Sequence, residues 1–166
     1  VGKYTDFVDS YKSVQESLIH GGIANDVGVD IEWLSSDDFT DPDKAAEILG
    51  SYQGLLVPGG FGVRGVEGMV EAIRHARTTN LPFFGICLGM QVAIIEFARN
   101  VAGLHDSHSS EFAPECDNPV ISLMESQQKV TDMGGTMRLG AYAARLAKGS
   151  KVADVYGVPE ISERHR

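Results

Sequence analysis

The stretch Gly85-Ile86-Cys87-Leu88-Gly89 decides how this sequence folds. It joins an apolar run, Pro82-Phe83-Phe84, to a segment of helical periodicity that extends from Leu88 to Val101. A cysteine between glycines at such a junction is typical of a sharp strand-to-helix turn, where neighbouring backbone leaves no room for larger side chains. We therefore predict a buried strand over 82–86 and a helix that begins directly after Cys87.

The same alternation of strand and helix continues through the first hundred residues. The predicted strands are 1–4, 29–34, 54–57 and 82–86, and the predicted helices run from Asp9 or Ser10 to Gly21-Gly22 and over 42–49, 66–78 and 88–101. This order predicts an α/β fold with a mostly parallel, twisted sheet flanked by helices. After Gly103 the pattern weakens, which predicts a less regular C-terminal part with strands at 120–123, 137–139 and 160–164 and a helix at 152–156.

Length and charge restrict the class of protein. A chain of 166 residues fits one domain with its own core, and 43% hydrophobic and 22% charged residues are typical of a globular protein. The formal charge of −9 argues against a nucleic-acid partner, which requires a basic face. No apolar run approaches the roughly 20 residues of a membrane helix, so we expect no membrane partner. Two cysteines make no disulfide framework, which favours a cytoplasmic location.

Cys87 is the candidate nucleophile. The partial positive charge of a helix N-terminus favours its thiolate, and the amide of Leu88 is placed where an oxyanion would form. A buried structural role is the alternative for an isolated cysteine. The loop Val57-Pro58-Gly59-Gly60-Phe61-Gly62 favours catalysis, because consecutive glycines after the neighbouring strand can present backbone amides to a site. This loop lacks the lysine and Ser/Thr of a phosphate-binding P-loop.

With these two loops the sequence resembles the class I, triad-type glutamine amidotransferases, in which Pro-Gly-Gly ends one strand and Gly-x-Cys-x-Gly-x-Gln follows the next. Within that family, it is most similar to the glutamine amidotransferase domain of the CTP synthases. The stretches that carry the resemblance are Val1–Tyr4, Val57–Gly68, Gly85–Gln91, Ser110–Phe112, Gly134–Gly140 and Glu163–Arg166. The resemblance implies a flavodoxin-like fold and a single glutamine amidotransferase domain over 1–166.

The resemblance also implies a role for each site residue. Cys87 would attack the side-chain amide of L-glutamine, forming a glutamyl thioester and releasing ammonia. The amides of Gly60 and Leu88 would form the oxyanion hole. The implied glutamine-binding residues are Gly59, Phe61, Gln91 and Glu111. Considered without the resemblance, Gln91 and Glu111 would be ordinary solvated side chains.

For a complete enzyme, the resemblance implies partners outside this domain. Ammonia would pass to an N-terminal synthetase domain of the same polypeptide, which converts UTP to CTP with ATP and Mg²⁺. GTP would activate the glutaminase half. No cofactor and no metal is implied for the domain itself, and the complete enzyme is expected to form a homo-oligomer, either a dimer or a tetramer.

One departure from the family bears on catalysis. The family carries its histidine base and orienting glutamate in a late His-Pro-Glu motif, and no such motif occurs in this sequence. None of the five histidines is a convincing substitute, and the His105-x-x-His108 pair alone does not make a metal site. The sequence also begins with Val1 in a strand-like run. We therefore expect a domain truncated at both ends, without two of its three triad residues.

Two other functions stay open. Without a base, the chain could be a catalytically incomplete module that binds glutamine or a partner domain. It could also be a different cysteine enzyme on a similar α/β fold, although the pairing of the Gly59-Gly60 loop with the Cys87 turn disfavours this. Cys116 has no role in any of these interpretations.

Overall fold

Helices and short strands alternate along Val1–Ser122, the first of two units in a computed structural model that describes residues 1–123 and 140–165. Two 3-10 turns span Val8–Tyr11 and Ser36–Asp38. The helices are α1 (Lys12–Ala24), α2 (Pro42–Leu49), α3 (Val66–Thr79) and α4 (Leu88–Asn100). The strands are β1 (Leu55–Val57), β2 (Phe83–Gly85), β3 (His108–Ser109) and β4 (Pro119–Ile121).

Strands β1 and β2 place the two glycine-containing loops side by side. They pair in parallel, with Leu55 beside Phe83 and Val57 beside Gly85. Helix α3 makes the crossover between them, as a parallel pair requires. Because both strands run the same way, both end at one edge of the sheet. The predicted α/β class is confirmed, and function is expected at this edge.

Helix α3 shows how the sequence sets an element. The helix starts directly after Gly65, whose φ of +71° is not helical. It ends before Asn80, whose φ is +57°. The face predicted to be apolar is buried against the core: Val66, Met69, Val70, Ile73 and Ala76. This face fixes α3 against its neighbours α2 and α4, which share the same core.

Four predictions for the first forty residues are wrong. The N-cap of α1 is Tyr11, with no side-chain cap, where Asp9 or Ser10 was expected. The helix also continues through Gly21-Gly22 to Ala24. A Cβ on Gly22 would lie 2.7 Å from the Val27 carbonyl oxygen, so this glycine permits a close backbone approach and does not end the helix.

The third error is the strand at 29–34, which forms no ladder. The segment lines a groove of about 560 Å³ together with Leu55 and Leu56 of β1. The predicted strand at 1–4 is reduced to a parallel bridge between Gly2 and Ser35. Alternating apolar residues predict a half-buried extended segment here, but a strand also needs a paired neighbour.

The second unit, Leu123–Arg166, is described from Gly140 to His165. Strands β5 (Gly140–Arg145) and β6 (Glu160–His165) pair antiparallel and are joined through α5 (Lys151–Tyr156). The Ser150 hydroxyl caps α5 by accepting from the Ala153 amide at 3.2 Å. The predicted strand 160–164 and helix 152–156 are confirmed. The predicted strand 137–139, most of the Gly134–Gly140 stretch and Arg166 lie outside the described residues.

Candidate active site

Cys87 occupies a strained position between β2 and α4. Its φ of +53° and ψ of −106° belong to a backbone region that residues other than glycine rarely adopt. The flanking glycines are both required by contact, because a Cβ on Gly85 would lie 2.7 Å from the Met90 nitrogen and one on Gly89 would lie 2.0 Å from the Val57 oxygen. The predicted sharp turn is confirmed, and Cys87 is exposed at its apex.

Three backbone hydrogen bonds define this turn, and one of them ties it to the end of β1. The amide of Ile86 donates to the Val57 carbonyl at 2.9 Å, and the amide of Gly89 donates to the Ile86 carbonyl at 2.9 Å. The amide of Gln91 donates to the Cys87 carbonyl at 3.1 Å. Since the glycine loop begins directly after Val57, the turn and the loop share one rigid support.

The glycine loop lies against Cys87 and Leu88. A Cβ on Gly59 would be 3.5 Å from the Cβ of Cys87, and a Cβ on Gly60 would be 3.2 Å from Cδ2 of Leu88. Four of the residues singled out by sequence therefore meet in one place. The backbone on both sides of the thiol can present amides to it, which is the arrangement that an oxyanion hole requires.

The other candidate residues lie around this centre. Gln91 is half-buried in the first turn of α4, while Phe61 is 64% exposed on the glycine loop. Glu111 is exposed in the loop after β3, where its amide donates to the Ser109 hydroxyl at 3.2 Å. The charge of Glu111 acts on Lys3, whose ammonium donates to the Phe61 carbonyl at 3.0 Å. Glu111 thus lies on the side of the glycine loop, and its part in binding stays a prediction.

Lys3 and Tyr4 belong to this site and were not predicted as site residues. Lys3 is 4% exposed, and its ammonium donates to the carbonyls of Phe61 and Gly62. The Tyr4 hydroxyl accepts from the Phe61 amide at 3.2 Å. The available signal was a lysine near the end of the strand-like run 1–4, since polar residues at strand ends gather at functional edges of α/β sheets.

Neighbouring groups shift the pKa of Lys3 in both directions. Burial, and then the nearby Arg64 guanidinium, lower the pKa of the Lys3 ammonium. The carboxylates of Glu111 and Asp37 oppose that change and raise the pKa. The two carboxylates therefore offset part of the cost of burying the Lys3 ammonium next to two carbonyl acceptors.

Helix α4 is anchored to α3 behind the site. Glu96 is 1% exposed and accepts two bonds from Nε and one from Nη2 of Arg77, at 2.8 to 3.1 Å. Asn100 Nδ2 adds a fourth bond to Glu96 at 3.1 Å. A buried carboxylate is costly unless it is paired in this way. The network fixes the helix that begins directly after Cys87.

The histidines do not assemble a second centre in the described residues. His108 Nδ1 accepts from the Ser109 amide at 2.9 Å, and its Nε2 lies 3.5 Å from a Glu67 carboxylate oxygen. Burial lowers the pKa of His108. Within 1–123 and 140–165, no three His, Cys, Asp or Glu side chains are grouped to hold a metal ion. No helix in these ranges is long and apolar enough to cross a membrane.

Comparison with known proteins agrees with this geometry. The family model of the class-I glutamine amidotransferases matches residues 6–166. This chain belongs to that family. It is 55% identical over 166 residues to a CTP synthase of Geobacter sulfurreducens and 54% identical over 166 residues to one of Clostridium acetobutylicum. These alignments cover 100% of this chain and 31% of each relative.

A solved structure shares the fold. The glutaminase domain of Trypanosoma brucei CTPS with bound acivicin superposes with a TM-score of 0.87 at 41% identity. The match covers 99% of this chain and 64% of that one. The chain thus spans about a third of the curated relatives and about two thirds of the solved structure. The similarity to CTP synthases extends along the whole chain and is not confined to the cysteine motif.

Proposed function

We propose that this chain hydrolyses the side-chain amide of L-glutamine at Cys87 and serves as the glutaminase part of a CTP synthase. One observation carries the proposal: the strained Cys87 turn lies against the Gly59-Gly60 loop, with 3.5 Å between the Cys87 Cβ and the position of a Cβ on Gly59. The similarity to the acivicin-bound glutaminase domain of Trypanosoma brucei CTPS supports a glutaminase role for this chain.

The proposed chemistry has two steps. The Cys87 thiolate attacks the amide carbon, and the carbonyl electron pair moves to oxygen, where the amides of Gly60 and Leu88 stabilise it. When the oxyanion collapses, the C–N bond breaks, and the nitrogen takes up a proton and leaves as ammonia. Water then adds to the thioester and breaks the C–S bond, which gives glutamate and restores the thiol. Gln91 and Glu111, with Gly59 and Phe61, hold the amino-acid end.

The longer relatives support the remaining parts of the proposal. The proton acceptor is assigned to the family's histidine–glutamate pair in a longer polypeptide, since the sequence has no His-Pro-Glu. Ammonia is passed to an N-terminal synthetase domain that aminates UTP with ATP and Mg²⁺, and GTP activates the glutaminase. We further propose a cytoplasmic homo-oligomer. We assign neither the proton acceptor nor the sites for UTP, ATP, Mg²⁺ and GTP to residues of this chain.

The test is ammonia release from glutamine by the full-length polypeptide. We expect steady turnover that is abolished by Cys87→Ser and retained by the matched variant Cys116→Ser. Retained hydrolysis in Cys87→Ser would overturn the assignment of the nucleophile. If titration calorimetry shows that the native protein binds glutamine without any ammonia release, the chain is a binding module and the proposed hydrolysis is wrong.

A further inference from the structure

We propose that Lys3, with Tyr4, is a positioning residue that holds the Gly60 amide in line with the thiol of Cys87. This inference rests on the proposed glutaminase function and adds a determinant of its rate. It starts from the glycine loop itself, because Gly59 and Gly60 carry few conformational restrictions of their own. Gly62 has a φ of +76°, so the far end of the loop also depends on glycine. Such a loop needs external contacts to keep one amide pointed at a reacting atom.

Lys3 and Tyr4 supply those contacts on three successive peptide groups. The Phe61 amide, which shares a peptide plane with the Gly60 carbonyl, donates to the Tyr4 hydroxyl at 3.2 Å. The Phe61 and Gly62 carbonyls define the next two planes, and both accept from the Lys3 ammonium. An ammonium has three donors, so it can bond both carbonyls at once. The peptide groups directly after Gly60 are therefore fixed in orientation.

The side chains also pack against Gly60. A Cβ on Gly60 would meet Cδ2 of Leu88 at 3.2 Å, Cδ of Lys3 at 3.4 Å and Cε2 of Tyr4 at 3.7 Å. Leu88, whose amide is the second proposed oxyanion donor, and the Lys3–Tyr4 pair thus pack together beside Gly60. A displacement of Lys3 would change the spacing of the two donors.

Lys3 also connects the loop to the predicted glutamine-binding side. Its Nζ lies 5.7 Å from the centroid of the Phe112 ring, and the neighbouring Glu111 carboxylate acts on its charge. Arg64 Nη2 donates to the Lys3 backbone carbonyl, so the chain after the loop is tied to the same residue. A lysine that is only 4% exposed costs free energy to bury. The contacts of its ammonium indicate that the glycine loop is the part of the site that Lys3 orients.

The experiment compares Lys3→Met with the native full-length polypeptide, because methionine keeps most of the apolar length and removes the donors. A donor displaced by a fraction of an ångström stabilises the transition state poorly, so we expect kcat for glutamine hydrolysis to fall by about 10- to 100-fold while KM changes less than about 3-fold. Tyr4→Phe, which keeps the ring, is expected to lower kcat by roughly 3- to 10-fold. The matched control, Lys44→Met, removes an exposed lysine in α2 and should leave both constants unchanged.

Two further measurements separate positioning from general damage. An aldehyde analogue of glutamine adds to Cys87 and develops an oxyanion, so Lys3→Met should weaken its binding by a similar factor to the loss in kcat. Alkylation of Cys87 by iodoacetamide displaces iodide at a saturated carbon and forms no oxyanion, so its rate should stay within about 2-fold. Equal losses in both reactions, or unfolding of Lys3→Met together with an unchanged kcat in Tyr4→Phe, would overturn the positioning role.

The two proposals fail in different ways. If native protein hydrolyses glutamine through Cys87 and Lys3→Met does so equally well, only the role of Lys3 is wrong. If Cys87→Ser hydrolyses glutamine as fast as native protein, the proposed function itself is wrong, whatever Lys3→Met does.

Discussion

A Cβ atom on Gly89 would lie 2.0 Å from the carbonyl oxygen of Val57, so the first turn of α4 touches the end of β1 without an intervening side chain. Cys87 precedes Gly89 by two residues, and the Gly59-Gly60 loop begins two residues after Val57. The contact between Gly89 and Val57 therefore sets the distance between the nucleophile and the loop that faces it.

Gly89→Ala should separate these two elements. The added methyl must displace backbone, because the atom that it meets is a main-chain oxygen, and such overpacking costs about 2 kcal/mol. We expect loss of glutamine hydrolysis and faster hydrogen exchange of the α4 amides. Gly21→Ala is the control, since a Cβ there meets nothing within 4 Å and alanine favours the helix. A fully active Gly89→Ala protein would show that this spacing does not matter.

Relief of strain at Cys87 should stabilise the protein and remove its activity. Glycine adopts a φ of +53° without the steric cost that any Cβ meets there. Cys87→Gly should therefore be more stable than Cys87→Ala by about 1 kcal/mol in urea unfolding, with both variants inactive. Alanine is the matched comparison because it also lacks the thiol but keeps the Cβ. Equal stability of the two variants would mean that the turn stores no strain.

Removal of the partner of Glu96 should loosen the helix behind the nucleophile. Arg77→Met leaves a carboxylate that is 1% exposed without its guanidinium, at a cost of about 2 kcal/mol. Hydrogen exchange of α4 should become faster to a corresponding degree. Lys44→Met breaks the exposed Lys44–Glu47 pair and should change stability by less than about 0.5 kcal/mol. The idea fails if both variants protect α4 as native protein does.

Because of His108, the free energy of unfolding should decrease in mild acid. Its pKa is lowered by burial first and by the Arg99 charge second, while Glu67 opposes the shift. The unfolded chain therefore binds the His108 proton more readily, and stability falls as the pH drops through about 6.5 towards the folded pKa. His108→Gln should flatten this part of the pH profile of unfolding.

An NMR titration of the His108 ring tests the cause of that pH dependence. Glu67→Gln removes a group that raises the pKa, so the His108 pKa should fall below its native value. A His108 pKa that rises in Glu67→Gln would contradict the assigned environment.

The positions of the elements around the active site are well predicted from sequence because their signals are local. The expected burial of the strand at 82–86 is wrong, since β2 spans Phe83–Gly85 and Phe84 is 63% exposed. Helix α3 has one apolar face and a helix-ending residue next to each terminus. β1 and β2 are apolar runs next to glycines. The segment 29–34 was mispredicted because alternation describes burial, whereas a strand depends on a neighbour elsewhere in the chain. Gly22 was wrongly predicted to end α1, because a glycine that permits a close backbone contact, here with Val27, looks in sequence like one that ends a helix.

The residues of the site likewise divide into those with a local sequence signal and those without one. Cys87, Gly59, Gly60 and Leu88 lie in two short motifs whose glycines reveal a close approach. The contact from Lys3 to Phe61 crosses 58 positions, and no local pattern encodes it. Residues that react are thus easier to predict from sequence than residues that hold them in place.

The most direct test of the central claim is to trap the covalent intermediate. Full-length protein would be mixed with isotope-labelled glutamine, quenched in acid to preserve the thioester, and mapped by peptide mass spectrometry. We expect a labelled glutamyl group on the peptide that contains Cys87, and none in Cys87→Ser. Ammonia release without any adduct on Cys87, or an adduct on Cys116, would contradict a mechanism through the Cys87 thioester.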